Sequence, residues 1–468
     1  MSDVMDVEKM EGIRRGRRLL LIPLPLEGHI NPMLELAHIL HSKGFSISFI
    51  HIQYCTNSLN FTFSISSFPH GPLPLPQPSS DLLNFLTLLN TLALTPFRDC
   101  LAKLLSHDAS SEDEEDQHPI SCLISDAMCF FTQAVATSFG LPRIVLRTGA
   151  ISSFLAFAAF PLLLQKRYLP IQECQLEKVV EELGPLRVKD LPVVNTNDPH
   201  KFYDLLRNFV HETVTSLGVI WNSFEALESS SLAKLTHQFP TPMYAIGPLH
   251  KYLQPSQMPH PHQSCISWLQ QHAPKSVVYV SFGSIASISE ADFLEIAWGL
   301  ANCDHPFLWV VRPGMVRGCD WLEALPSGFL ENLGGSGRGH IVKWAPQQQV
   351  LAHHCVGAFL THNGWNSTME SICEGVPMIC MPCFADQNVN ARYVSHVWKV
   401  GLQLEKGVER GEIERSIRKV MEGKEIRERA SILKEEARLC LQRGGSSYSS
   451  LQRLVTHIMS FNVYSPSH

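Results

Sequence analysis

The sequence lacks long hydrophobic runs, an excess of basic charge and a dense cysteine pattern. The apolar stretch 151–164 contains Pro161 and is too short to cross a bilayer, so no transmembrane segment is expected. Lys and Arg number 38 against 44 Asp and Glu, which argues against a nucleic-acid partner. The thirteen cysteines are odd in number and scattered, unlike those of a secreted disulfide scaffold. A cytoplasmic location is therefore expected.

The length of 468 residues favours more than one domain. Apolar strand-like segments alternate with amphipathic helical ones, which predicts α/β units on parallel sheets. The first strand should lead to a helix that is capped by Asn31 and begins at Pro32, and the segment 85–94 is interpreted as irregular. A Pro- and His-rich stretch predicts a linker at 249–262. The expected domains are 1–248 and 263–445, followed by a helix in 446–468 that can pack back on the first domain.

The most informative segment is 361–368, where a predicted strand passes through an Asn-Gly turn into a helix. The free N–H groups at the helix start, together with Asn366 and Ser367, form a place for an anion. His362 can donate a hydrogen bond to a diphosphate oxygen, and Glu370 can accept hydrogen bonds from two sugar hydroxyls. Each residue alone is also typical of an ordinary turn. Together they indicate a nucleotide site.

This region resembles the donor-binding box of plant UDP-sugar-dependent glycosyltransferases. The matching residues are Trp344-Ala345-Pro346-Gln347, His362-Asn363-Gly364-Trp365-Asn366-Ser367-Thr368-Met369-Glu370, Gly375-Val376-Pro377 and Asp386-Gln387. The resemblance extends over nearly the whole chain, from the segment 25–32 through Asp126 and 280–284 to 444–447. It implies an α/β GT-B fold, with two doubly wound Rossmann-like domains facing across a cleft.

The resemblance also implies a role for each residue of the donor site. Trp344 would stack on uracil, with Ala345 and Gln347 beside the nucleoside, and Glu370 would hold the ribose. The residues implied at the diphosphate are Ser284, His362, Asn366 and Ser367, and Gly364 is a further donor-binding residue. The transferred sugar would meet Trp365, Asp386 and Gln387. Glutamine at the last position of the box is associated with glucose, so the implied donor is UDP-glucose.

In this family the histidine at the position of His29 is the general base, a role that suits an imidazole. Asp126, at the end of a neighbouring predicted strand, would orient the ring as in a triad, although a helix cap is the alternative interpretation. The family usually has Gln where this chain has Glu27. A carboxylate there either raises the pKa of His29 or faces water.

The acceptor is expected in an apolar pocket of the first domain, near Thr148 and Gly149, with contributions from 148–157, 85–94 and 202–209. The resemblance implies an inverting O-glycosyltransferase that acts on a hydroxyl or carboxyl of a small lipophilic plant metabolite such as a terpenoid, flavonoid or hormone. The expected protein is a monomer that needs no cofactor and no metal ion, the UDP-sugar being a co-substrate. His362 and the helix start would neutralise the leaving group.

Other functions remain open at this point. A nucleotide-sugar epimerase or a dinucleotide-dependent oxidoreductase is disfavoured, because the first strand-to-helix turn carries residues 27–32 rather than a G-x-G-x-x-G fingerprint. A non-catalytic sensor of a UDP-sugar or hormone is the alternative from another class, and the presence of His29 and Asp126 argues against it. Cys380 and Cys383 have thioredoxin-like spacing, but they fall inside the donor box and no redox role is predicted.

Overall fold

The computed structural model describes residues 16–52, 64–67, 73–79, 81–106, 118–194, 196–253, 263–325, 328–329, 337–405 and 407–463. The chain forms two compact units. The first comprises Met1–Ile151, Thr196–Gln254 and Cys440–His468, and the second comprises Ser152–Asn195 and Pro255–Leu439.

This division differs from the expected one, because contacts in space rather than order in the sequence define a unit. Ser152–Asn195 belongs to the second unit although it lies between two parts of the first, and the chain returns to the first unit at Cys440. Of the expected linker, Leu249–Tyr252 forms a short 3₁₀ helix with Leu249 fully buried. Residues 254–262 lie outside the described residues.

The first unit contains a seven-stranded parallel sheet in the order β3-β2-β1-β4-β5-β6-β7. The strands are β1 (Arg18–Ile22), β2 (Ser46–His51), β3 (Ser64–Ser67), β4 (Ile120–Asp126), β5 (Arg143–Arg147), β6 (Val219–Trp221) and β7 (Met243–Ala245). The order reverses between β1 and β4. Open α/β sheets bind ligands at the carboxyl ends of strands beside such a switch point.

The second unit contains a six-stranded parallel sheet in the order β10-β9-β8-β11-β12-β13. The strands are β8 (Val277–Ser281), β9 (Phe307–Val310), β10 (Gly339–Val342), β11 (Val356–Thr361), β12 (Met378–Cys380) and β13 (Gly401–Gln403). Its switch point lies between β8 and β11. Strand β13 has only three residues, too few for a sequence pattern to reveal.

The helices are numbered in chain order across both units: α1 (Glu27–Ser42), α2 (Leu82–Leu92), α3 (Leu94–Leu105), α4 (Phe131–Ser138), α5 (Ile151–Ala158), α6 (Phe160–Gln165), α7 (Pro199–Val214), α8 (Glu225–Gln238), α9 (Gln263–Leu269), α10 (Glu290–Asn302), α11 (Gln347–Ala352), α12 (Trp365–Glu374), α13 (Gln387–Arg392), α14 (Arg410–Glu422), α15 (Lys424–Cys440) and α16 (Ser446–Ser460). In the part of the chain that the structure describes, none has both the length and the apolar character needed to span a membrane.

Helix α1 begins earlier than its sequence suggests. The carbonyl of Leu26 accepts hydrogen bonds from the N–H groups of His29 and Ile30, both at 2.8 Å, so the helix starts at Glu27. Pro32 therefore lies inside the helix rather than at its first position. The consequence is that His29 occupies the first helical turn.

The segment 85–94, interpreted as irregular, is mostly helical. Asp81 caps α2 by accepting a hydrogen bond from the Asn84 N–H at 2.9 Å. Phe85 and Leu89 are fully buried on the inner face of this helix. Apolar burial and a capping carboxylate together explain why the helix forms.

The core of the first unit includes residues from both ends of the described chain. Leu19 and Leu21 of β1 share one buried cluster with Leu454 and Ile458 of α16. The Ser447 hydroxyl donates to the Gly247 carbonyl at 2.7 Å and fixes the start of α16. The last helix is thus an integral part of the first unit.

Candidate active site

The first group of functional side chains lies at the switch point of the first unit. Nδ1 of His29 and Oδ2 of Asp126 are 2.7 Å apart, and Asp126 is almost fully buried. The other carboxylate oxygen, Oδ1, accepts the Met128 N–H at 2.8 Å. Asp126 therefore fixes the turn after β4 and also contacts the imidazole, so the interpretation as a cap and the interpretation as a partner of His29 are compatible.

The sheet explains why these residues meet. β1 leads into α1, which carries His29, and β4 ends at Asp126 beside β1. β5 lies on the other side of β4 and is followed by Thr148, whose Oγ1 is 3.0 Å from Nδ1 of His29. Glu27, at the first position of α1, is exposed to solvent. Of the two alternatives for this carboxylate, the structure favours the one in which it faces water.

A second group of polar side chains lies in the second unit, around Glu370 of α12. Nε2 of Gln347 donates to Oε2 of Glu370 at 2.7 Å and to the Ser367 hydroxyl at 2.8 Å. Nε2 of Gln348 donates to Oε1 of Glu370 at 3.1 Å. The buried Tyr279 hydroxyl donates to Oε1 of Gln347 at 3.2 Å, which sets the direction of that amide. The Glu370 carboxylate is held in one orientation as a result.

Trp344 precedes this network and is 49% exposed, although a tryptophan is usually buried. A tryptophan that served only the core would be more buried than this. The following Ala345 is buried, and α11 begins two residues later with Gln347. A large flat ring in solvent beside a polar network is suited to stacking on a planar ligand.

The His362 imidazole lies between two glycines at the carboxyl ends of β8 and β11. A Cβ atom at Gly283 would lie 2.7 Å from Nε2 of His362, and one at Gly364 would lie 2.5 Å from it. Gly283 also has a φ of +69°, a conformation that favours glycine. Only glycine at both positions leaves room for the ring.

His362 differs electrostatically from the sequence expectation. Burial and, to a smaller extent, the charge of Arg312 lower its pKa to about 4. The imidazole is therefore neutral at pH 7. A neutral ring offers hydrogen-bonding nitrogens but no positive charge.

Sequence reasoning missed Arg312, which lies two residues after β9. Its Nε donates to the Gly283 carbonyl at 3.1 Å, and its Nη2 donates to the Ala286 carbonyl. These bonds hold the loop that carries the exposed Ser284. A basic residue just after a strand of a parallel sheet was the available signal.

Helix α12 presents its N-terminus in the same region. Its N-cap is Gly364, which offers no side chain to satisfy the first N–H groups. Asn366 is half-buried, and Ser367 is buried and accepts the bond from Gln347. Such a helix start is suited to an anion.

Two residues implied at the sugar are largely engaged within the protein. The Trp365 side chain is buried and lies near Trp398, with ring centroids 6.3 Å apart, so only its backbone is available to a sugar. Oε1 of Gln387 accepts the N–H groups of Cys383 and Phe384, at 2.9 and 3.2 Å. The Nε2 group of Gln387 can therefore donate a hydrogen bond to a ligand, and the preceding residue, Asp386, is half-buried.

Comparisons with known proteins agree with this architecture. The family model for UDP-glucoronosyl and UDP-glucosyl transferase matches residues 229–436. UDP-glycosyltransferase 76B1 of Arabidopsis thaliana is 47% identical over 451 residues, which cover 95% of this chain and 98% of that protein. UDP-glycosyltransferase 76C1 of the same plant is 48% identical over 457 residues, covering 95% and 97%. The chain belongs to the UDP-glycosyltransferase family.

A solved structure of similar fold is that of Phytolacca americana UGT2 complexed with UDP-2fluoro-glucose and pterostilbene. It has a TM-score of 0.78 and 28% sequence identity, with 95% of this chain and all of that chain covered. The expected α/β GT-B fold with two Rossmann-like domains is confirmed. So is the expectation that this UDP-glycosyltransferase is an enzyme that transfers a glycosyl group.

This UDP-glycosyltransferase also has a cavity of about 420 Å³ in its first unit, between α2 and α7. The expected segments 85–94 and 202–209 both contribute to it. Thr148 and Gly149 are not among its lining residues, so this cavity does not test the expected apolar acceptor pocket; its apolar lining residues are Phe130 and Leu205. The polar lining residues are Thr87, Asn90, Thr91, Asp198, His200, Lys201, Asp204 and Asn208.

The last two features to consider are the cysteine pair Cys380 and Cys383 and groups of residues that could bind a metal ion. Burial raises the pKa of the Cys380 and Cys383 thiols to about 12, so neither is a thiolate at neutral pH. Within the described ranges, no cluster of three or more His, Cys, Asp or Glu residues is arranged to hold a metal ion.

Proposed function

We propose that this enzyme transfers glucose from UDP-glucose, with inversion, to a hydroxyl or carboxyl oxygen of a small lipophilic plant metabolite. The observation that carries the proposal is the contact between His29 and the buried Asp126. It supplies a general base in the first unit, while the second unit supplies a set of groups suited to a nucleoside diphosphate.

The proposed chemical step starts at His29. Asp126 accepts a hydrogen bond from the Nδ1–H group of His29, so Nε2 has the lone pair that takes the proton from the acceptor O–H. The acceptor oxygen forms a bond to the anomeric carbon while the bond from that carbon to the diphosphate oxygen breaks. The electron pair leaves with UDP. Displacement in line inverts the anomeric configuration, and Asp126 stabilises the imidazolium that forms.

The proposed donor site uses the side chains of the second unit. Trp344 stacks on uracil beside Ala345 and Gln347, and Glu370 accepts hydrogen bonds from ribose hydroxyls. The diphosphate binds at the start of α12 through Ser284, His362, Gly364, Asn366 and Ser367. The exposure of Trp344 and the fixed orientation of Glu370 support this assignment.

Glucose is the proposed sugar. Asp386 and Nε2 of Gln387 bind its hydroxyls, and Trp365 contributes only its backbone. The donor analogue bound to Phytolacca americana UGT2 is also of the glucose type, which supports this choice. Enzymes of this kind discriminate through hydrogen bonds to individual hydroxyls, since an unpaired buried polar group is costly.

The acceptor is proposed to bind near Thr148 and Gly149, which follow β5 next to His29. Terpenoids, flavonoids and related hormones remain the proposed class, and the stilbene bound to Phytolacca americana UGT2 is a small aromatic molecule of similar character. We further propose that the enzyme acts in the cytoplasm as a monomer, without a cofactor or a metal ion.

The test is to incubate the protein with UDP-glucose and a broad panel of acceptors, and to search for hexose adducts by mass spectrometry. The anomeric proton coupling in the product should show the β configuration, since UDP-glucose is an α-glycoside. Retention of the α configuration would contradict the inverting step. Preferred use of UDP-galactose or UDP-glucuronic acid with an accepted aglycone would contradict the donor assignment.

A further inference from the structure

Asn390 of α13 lies outside the donor box and is fully buried. Its Nδ2 donates to the backbone carbonyl of Asn363 at 2.9 Å. Its Oδ1 accepts the Ser153 hydroxyl at 3.2 Å. Because the Asn363 carbonyl can only accept, the amide of Asn390 must turn its NH₂ toward it, which leaves Oδ1 facing the Ser153 hydroxyl.

Asn363 itself has a left-handed backbone, with a φ of +61°. This conformation is uncommon for residues other than glycine and persists where surrounding contacts hold it. The Asn363 N–H donates to the Thr361 hydroxyl at 3.2 Å, and its carbonyl accepts from Asn390. Both backbone polar groups of the strained residue are thus satisfied, one of them by a side chain distant in sequence.

We propose that Asn390 is a positioning residue for diphosphate binding, since its amide holds the turn at Asn363 that places His362 against the start of α12. The inference rests on the proposed function, because it assigns the diphosphate to this turn. Gly364 directly follows Asn363, and a Cβ there would lie 2.5 Å from Nε2 of His362. A rotation of the backbone at Asn363 therefore moves the imidazole relative to the helix N–H groups.

The same helix also begins at Gln387, directly after Asp386. The bond between Asn390 and Asn363 consequently connects the side chains proposed to hold the sugar with the turn proposed to hold the diphosphate. Ser153 belongs to the inserted segment Ser152–Asn195, so that segment contributes to the alignment of the donor site.

The test compares the affinities of UDP and uridine in Asn390→Asp, Asn390→Ala and Ser153→Ala. Asn390→Asp replaces the donating NH₂ by an oxygen that faces the Asn363 carbonyl. UDP affinity should fall about tenfold, the loss of one hydrogen bond, while uridine affinity stays unchanged. Ser395→Ala is the matched control, because its hydroxyl donates to the Ala391 carbonyl in the neighbouring turn and does not contact Asn363. It should behave as the parental protein.

A spectroscopic signature separates positioning from general destabilisation. In protein labelled at histidine, the His362 resonance is identified by its loss in His362→Gln. In the Asn390 variants its pKa should lie closer to 6.5, because the ring gains access to solvent. Ser153→Ala should show a smaller change in the same direction, and it keeps the test informative if the Asn390 variants fail to fold.

Unchanged UDP affinity in the folded variants would overturn the inference. So would an equal loss of UDP and uridine affinity, because Asn390 would then support the unit as a whole. If the parental protein binds UDP no more tightly than uridine, the proposed donor site itself fails. An unchanged His362 titration in the variants would show separately that Asn390 does not position the ring.

Discussion

Asp126→Asn tests the proposed catalytic geometry in detail, because the hydrogen-bond partners of Asp126 determine the orientation of the asparagine amide. In the parental protein Oδ1 of Asp126 accepts the Met128 N–H, and Oδ2 faces Nδ1 of His29. An asparagine must keep its oxygen on the Met128 N–H, since an NH₂ there would face another donor. Its NH₂ group then faces Nδ1 of His29.

That orientation changes the tautomer of the imidazole. Nδ1 must accept a hydrogen bond, so the ring proton moves to Nε2 and the lone pair needed by the base is lost. The Thr148 hydroxyl, 3.0 Å from Nδ1, can donate to the same nitrogen and adds to the effect. General-base catalysis contributes roughly 10²- to 10⁴-fold, and the same substitution in a Ser-His-Asp triad costs about 10⁴-fold through the wrong tautomer. We expect a loss of kcat in this range.

The assay measures initial rates with saturating UDP-glucose and two accepted aglycones, an aliphatic alcohol and an acidic phenol. The phenol should lose less rate, because it needs less help in losing its proton. UDP affinity, measured by calorimetry, should not change. Thr148→Val removes the hydroxyl but leaves Asp126 in place, so comparing the two variants separates the contribution of this hydroxyl from that of the carboxylate. Near-parental turnover of the alcohol by folded Asp126→Asn would show that Asp126 does not set the tautomer of His29.

Four further predictions concern the second unit. Trp344→Ala should cost about 1–3 kcal/mol of UDP affinity by calorimetry if the exposed ring stacks on uracil, and an unchanged affinity would remove that role. Tyr279→Phe removes the hydrogen bond that orients the amide of Gln347, so it should weaken UDP binding by about 0.5–1.5 kcal/mol. It should also reduce the preference for UDP over its 2′-deoxy analogue, and an unaltered preference would contradict the role of this network. Gln387→His should lower kcat/KM for UDP-glucose relative to UDP-galactose, and an unchanged ratio would contradict the sugar assignment. The lowered pKa of His362 means that the unfolded chain takes up a proton from about pH 6.5 downward while the folded chain does so only near pH 4. Stability should fall over that interval as pH falls, by at most about 3 kcal/mol from this group, and thermal unfolding of His362→Gln should show a shallower pH dependence.

The sequence predicts the strands and their polar ends because parallel strands are nearly continuous apolar runs followed by turns. His29, Asp126 and the turn at His362 lie at such ends, and the sheet order then brings neighbouring ends together. The resemblance to the family supplied the roles. A single strand-to-helix turn does not reveal which nucleotide or sugar it holds.

Other features depend on contacts that no local pattern contains. The membership of Ser152–Asn195 in the second unit depends on pairs such as Arg187 with Glu405 and Arg392 with Asp190, which are distant in sequence. The burial of Trp365 also depends on long-range packing, here against Trp398. Helix α2 was missed although its polar residues Asn84, Thr87 and Thr91 recur at helical spacing, which was the available signal.

The proposed base lies in the first unit and the proposed donor site in the second, a division of functions that substitution can test. Its most direct test is the rate of hexose transfer to an aliphatic alcohol by His29→Ala at saturating UDP-glucose, followed by mass spectrometry. Transfer should fall by at least about 10²-fold while UDP binds as in the parental protein. Transfer at a near-parental rate would contradict it.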